Sequence, residues 1–206
     1  MVADKSKKHP IWGIEEDSIE CQAKDNKYFT VDEKDYIDFH RFIDDCNQSL
    51  RKISAGEKLG ELNIGGVVIS VNVQMDSISK HCARFDELYN TAVPTQKAMQ
   101  VSRCVNSGKL SDGTDLLDLL KKSKQGDIIT PDSGYGFAFV HNDIRNLVKN
   151  NYKGRQINYE ILIPEGAKIP RHSAAEIILP RNAQYEVVDI KPKDDGVIAY
   201  LKYIIQ

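Results

Sequence analysis

AAEIILPRN, Ala174 to Asn182, is a short apolar run opened by one carboxylate and closed by a proline and a basic residue. After Glu176 come Ile177, Ile178 and Leu179 without a polar break, and then Pro180. An apolar run this short, bounded by proline, reads as a buried strand. Two readings stay open for its carboxylate: Glu176 is exposed at the strand's start, or it is held there by a partner.

Strand-like runs lie on both sides of it. AMQVSRCV, DIIT, YGFAFV, INYEILI, QYEVVDI and GVIAYLKYII are each bounded by Gly, Pro, Asn or Asp, the punctuation of short strands. Two short helical patches interrupt them, Leu116 to Leu120 and Ile144 to Val148. In AMQVSRCV the alternation places Met99, Val101, Arg103 and Val105 on one side. An arginine among apolar neighbours needs a counter-charge, because a buried unpaired charge is costly. That partner is either a carboxylate of the protein or a phosphate of a ligand.

The first half of the chain has a different period. Tyr36, Phe39, Ile43, Cys46, Leu50 and Ile53 recur at three and four residues, as on one face of a helix. Thr30 and Glu33 are placed to form a capping box. A second stripe runs through Val71, Met75, Ile78, Cys82, Phe85, Tyr89 and Ala92, preceded by Gly65 and Gly66 and stopped by Pro94. The β-branched run VVISVNV favours a strand on its own; the longer period favours a helix. Residues 1–30 are polar and poor in periodicity, with Trp12 and Ile14 as apolar anchors, and read as an arm that docks through those two side chains. Helices first and strands later argue an α+β domain over residues 31–206.

Composition narrows the function classes. The 206 residues carry a formal net charge of -2, with 28% charged and 41% hydrophobic residues. No overall field attracts nucleic acid or an anionic membrane, and no apolar run reaches transmembrane length. Behind the N-terminus no apolar segment marks a secretory signal. The four cysteines, at 21, 46, 82 and 104, match no metal or redox spacing, as expected of reduced thiols in a cytoplasm-like compartment. His9, His40, His81, His141 and His172 are scattered without ligand spacing, so no metal is expected. Phosphate-loop, dinucleotide-fingerprint and nucleophile-elbow motifs are missing.

Five segments in order nevertheless form a pattern: CNQSLR at Cys46–Arg51, VSRCV at Val101–Val105, SGYGFAFV at Ser133–Val140, EILIPEGAK at Glu160–Lys168, and AAEIILPRN. Together, from about Tyr36 to Ile205, they resemble the ADP-ribosyltransferase exoenzymes of the arginine–serine–glutamate type. The resemblance implies an ADP-ribosyltransferase-like fold, with N-terminal helices followed by two packed mixed or antiparallel β-sheets. It implies NAD as substrate, Arg103 as a phosphate ligand, and Glu176 as the carboxylate that bonds the ribose 2′-OH and stabilises the oxocarbenium-like state. Tyr135 either stacks on nicotinamide or packs in the core. The chain departs from the family pattern at three places. Cys104 follows the arginine where the family has glycine; Phe137, Ala138 and Phe139 replace the Ser-Thr-Ser triplet; Ala174 replaces the residue that engages the acceptor. Ser133 is the nearest hydroxyl that can substitute for the missing serine.

The expectation is therefore an NAD-dependent mono-ADP-ribosyltransferase or NAD glycohydrolase of bacterial or phage toxin type. It would act on a protein acceptor, in the cytoplasm or in a host cell reached without a signal peptide. The alternative is a catalytically degenerate relative, a binding or phage structural protein that keeps the fold. The enzyme requires Arg103 and Glu176 to face one cleft that NAD can bridge; an aromatic ring from Phe137 or Phe139 in that place argues for the alternative.

Overall fold

A computed structural model describes residues 11–12, 31–64, 66–110, 112–140, 156–171, 173 and 175–205. The segment containing Ile144–Val148, and positions 172 and 174, lie outside the described residues, as does Thr30. The first helix among the described residues, α1, is Glu33–Ser54. Its N-cap is Asp32, not Thr30: the Asp32 carboxylate accepts from the Asp35 amide at 2.8 Å, satisfying one of the first-turn donors that have no helical partner. Arg51 and Lys52 sit in its last turn, where cations face the helix's partial negative end.

A hairpin that the helical period did not reveal follows α1. Strands β1 (Leu62–Ile64) and β2 (Val67–Ile69) pair antiparallel, with Gly66 at φ 86° in the turn. Ser70 then caps α2, Val71–Thr91. The β-branched run is thus shared between a strand and a helix, divided at the residue best able to cap. The α2 stripe buries Ile78, Cys82 and Phe85, with Leu88 joining them, while Val71 and Met75 stay exposed. Phe39 of α1 meets Phe85 of α2 edge-on, with ring centroids 4.7 Å apart.

The remaining strands are β3 (Met99–Val105), β4 (Ile128–Ile129), β5 (Gly136–Phe139), β6 (Ile157–Ile163), β7 (Glu176–Leu179), β8 (Tyr185–Lys193) and β9 (Gly196–Tyr203), with the short helix α3 (Leu116–Lys122) between β3 and β4. They form one ladder in the order β4-β8-β9-β6-β3-β5-β7, antiparallel except for β6 with β9. The two expected strand groups are continuous at a narrow seam, since β3 and β5 share the single registered pair Ser102–Phe139.

Side-chain alternation sorts the two faces of this sheet. Val101, Ala138, Ile161, Ile177 and Leu179 join Leu116, Leu117 and Leu120 of α3 in one core. Ile178, Tyr135 and the partly buried Phe137 join Phe39, Ile43, Phe85 and Leu88 in a second core, under α1 and α2. Among the described residues no helix is long and apolar enough to cross a membrane.

Candidate functional site

The end of α1 and the loop before β5 build a cationic corner. Asn47 of α1 is buried; its side chain donates to the Tyr135 carbonyl and accepts from the Tyr135 amide, both at 2.8 Å. This pair fixes the loop on the helix, one turn before Arg51. Arg51 grips Asp132 with two bonds, Nε to Oδ1 at 3.1 Å and Nη2 to Oδ2 at 2.8 Å. Arg103, rising from β3, reaches the same carboxylate, with Nη2 3.5 Å from Oδ2. Asp132 also accepts from the Gly134 amide at 2.9 Å, an Asx turn that holds the carboxylate in place. Burial would raise the Asp132 pKa, but the Arg51 hydrogen bonds and charge, with Arg103 behind them, more than offset it. The carboxyl titrates below the usual aspartate range.

These groups line a cavity of about 710 Å³, within the range of small-molecule and cofactor sites. Its lining grades from exposed or half-buried residues, Arg51, Arg103, Asn106 and Ser133, which form its mouth, to the buried Tyr159 and Leu201, which form its floor. Two guanidinium groups converging on one point suit a diphosphate, because planar guanidinium forks match phosphate oxygens. Gly136 matters here: a Cβ on it would fall on the Arg103 guanidinium, so that strand position must be bare for the arginine to lie across it.

Glu176 stands elsewhere. Its Oε2 accepts from the Tyr36 hydroxyl of α1 at 2.8 Å and lies 3.8 Å from His40 Nε2. Phe137 stacks on His40 at 4.2 Å between ring centroids and meets Tyr36 edge-on. The Glu176 side chain is only 11% exposed. Burial, then the bond to Glu176 and its charge, push the Tyr36 phenol up to about 12. The carboxylate is therefore held by a partner rather than exposed at the strand's start, and an aromatic ring stands beside it.

The sheet register separates the two key groups. Glu176 pairs with Phe139, and Phe139 with Ser102, so Glu176 shares a face with Ser102 and lies opposite Arg103. The cavity residues include Arg103 and Ser133 but neither Glu176 nor Tyr135. The structure brings Arg103 and Ser133 together and does not bring Glu176 to them. The Tyr135 ring has no exposure, and its hydroxyl donates to Asp86, with the Cys82 carbonyl 3.2 Å away. Arg181 is not among the cavity residues; it forks onto Asp86, with its shortest bond 2.7 Å. Ser133 lies on the arginine side, and Tyr36 occupies the place beside Glu176. Among the described residues no cluster of His, Cys, Asp or Glu could hold a metal.

Three contributors carry no functional signal in the sequence: Asp132, Tyr36 and Tyr159. Arg51 lies within CNQSLR without an assigned role, although Asn47 and Arg51 at a spacing of four share one helix face. That spacing is the available signal. Asp132 resembles only a turn residue.

No protein-family model matches the sequence, and no curated protein sequence matches it. Solved structures do. The chain is similar to an ADP-ribosyltransferase from Clostridium botulinum at 15% identity, over 97% of this chain and 99% of that one, with a TM-score of 0.58. It is similar to the Clostridium limosum C3 exoenzyme at 16% identity, over 91% and 90% of the two chains, with a TM-score of 0.55. It is also similar to a protein from S. aureus, solved with NAD, at 16% identity over 92% of each chain, with a TM-score of 0.51. The fold is that of the ADP-ribosyltransferases.

Proposed function

We propose, with the ADP-ribosyltransferase fold as premise, that this chain binds NAD through its diphosphate in the Arg51–Arg103 cavity and does not turn it over rapidly. It is a binding protein built on a transferase fold. The observation that carries this reading is the convergence of two arginines from distant elements on one carboxylate, at the mouth of a cavity of about 710 Å³. A ligand diphosphate would take the position that Asp132 now shares with them. Supporting the absence of turnover are the placement of Glu176 on the other sheet face and the aromatic Phe137 where the fold's relatives carry the first serine of their triplet. Electrostatic stabilisation of a developing cation needs a carboxylate aimed at the reacting carbon, and Glu176 is aimed at Tyr36.

A second reading, a mono-ADP-ribosyltransferase or NAD glycohydrolase acting on a protein, is favoured by one observation. Glu176 is shielded and oriented by the Tyr36 hydroxyl, as a carboxylate kept for a positive transition state would be. The ribose would then have to pass β7, the last strand of the sheet, whose outer edge is bridged by Arg171, to meet it.

One experiment separates the readings. NAD binding is measured by calorimetry, and nicotinamide release and label transfer from labelled NAD are followed in a cell lysate, for the wild type and for Glu176→Gln. Binding without release or transfer is the expected result. Transfer or release that disappears in Glu176→Gln establishes the enzyme instead, and no binding at all overturns both.

A further inference from the structure

Resting on the NAD-binding reading above, we infer that Tyr159 is a third phosphate ligand of the cavity, its hydroxyl bonding an oxygen that faces inward between Arg51 and Arg103. Tyr159 and Arg103 are direct partners in the β3–β6 ladder, so their side chains rise side by side from one face. Tyr159 lines the cavity floor and is 5% exposed, yet its hydroxyl has no hydrogen-bond partner among the described residues. A buried hydroxyl without a partner destabilises the protein that contains it, so a ligand oxygen that accepts from it would be favoured there.

The charges facing it are Arg103 and Asp132. Arg103 only donates, and both Asp132 oxygens already accept from Arg51. The group missing from this corner is a further acceptor. A phosphate supplies several: two guanidinium groups take the oxygens at the mouth, and one oxygen is left pointing at the floor. Burial, offset in part by Arg103, holds the Tyr159 phenol well above the ordinary tyrosine range, so it is a donor at working pH. The hydroxyl is buried, so the ligand reaches it as Arg103 moves from Asp132 onto the phosphate.

The test is calorimetric binding of inorganic pyrophosphate and of NAD to the wild type and to Tyr159→Phe, with the melting temperature of each protein measured without ligand. The expected result is an unchanged or raised melting temperature, together with affinity for both ligands lowered by roughly tenfold, as for loss of a hydrogen bond to a charged group. Equal affinities in the two proteins overturn the assignment while leaving NAD binding intact. If the wild type binds pyrophosphate but not NAD, the NAD reading fails, and weakened pyrophosphate binding by Tyr159→Phe still supports the ligand role. Binding of neither ligand by the wild type overturns both. Should Tyr159→Phe fail to fold, carbon NMR of tyrosine-labelled wild type decides: pyrophosphate must shift the Cζ resonance of a buried tyrosine, and a spectrum without such a shift overturns the assignment.

Discussion

Arg103 of β3 and Glu176 of β7 point to opposite faces of one sheet, because Glu176 pairs through Phe139 with Ser102, the residue immediately before the arginine. The arginine looks into the cavity under α3's face of the sheet, and the glutamate looks at α1. Both belong to segments that resemble the transferases, and the fold holds both, yet strand parity assigns them different neighbours. What one face can do alone, anion binding, is separable from what requires both, and the following predictions rest on that separation.

Gly136→Ala tests the arginine's seat. The three atoms nearest the added methyl all belong to the Arg103 guanidinium, so the flexible end of Arg103 moves and the fold persists. Pyrophosphate affinity should fall by roughly tenfold, the size of one lost charged hydrogen bond, with little change in melting temperature. Unchanged affinity measured by calorimetry would show that Arg103 does not contact the anion.

Asp132→Asn removes the internal anion that shares both arginines. Pyrophosphate affinity should rise, because the ligand no longer competes with a charge. The stability signature has a definite sign. Asp132 titrates below its ordinary range in the folded protein, so its contribution is present above the unfolded value of about 3.9 and is lost as pH falls through the lower folded value. Melting curves of wild type and Asp132→Asn should therefore converge toward strongly acidic pH and diverge above about pH 4. A constant gap across that window would contradict the ion pair.

Tyr36→Phe addresses the other face. Burial first, and then the bond to Glu176, raise the Tyr36 phenol to about 12, so the stability that depends on its protonated form is intact below the ordinary tyrosine value of about 10 and is lost as pH rises through about 12. Phenolate absorbance should show one fewer group titrating near 12 in the variant. Anion binding in the cavity should not change, since Tyr36 does not line it. A parallel loss of pyrophosphate affinity would mean that the two faces are coupled.

Asn47→Ala tests the join between helix and loop. Both Asn47 bonds go to buried backbone groups of Tyr135, and each group left unsatisfied costs about 1–3 kcal/mol. Thermal unfolding should drop by roughly 5–15 °C for a chain of this size. A drop below about 2 °C would assign the contact to the surface.

Much of the architecture was legible in the residues because it depends on local periodicity. The α1 stripe through Phe39, Ile43 and Cys46 and the alternation of β3 and β6 follow from backbone geometry within a few residues. The β1–β2 hairpin escaped because its strands are three residues long and run straight into α2. Asp132 with Arg51, and Tyr36 with Glu176, are separated by 81 and 140 residues, and no local pattern announces such pairs.

By itself the sequence determined the two long helices, most of the later strands and their order, and that Arg103 needs a counter-charge and Glu176 opens an apolar strand. Tertiary structure alone decided which face of the sheet each of those two occupies. The reason is parity: a strand's pattern tells which of its residues share a side, but the side facing a given neighbour is set by inter-strand register, and a shift of one residue exchanges the faces.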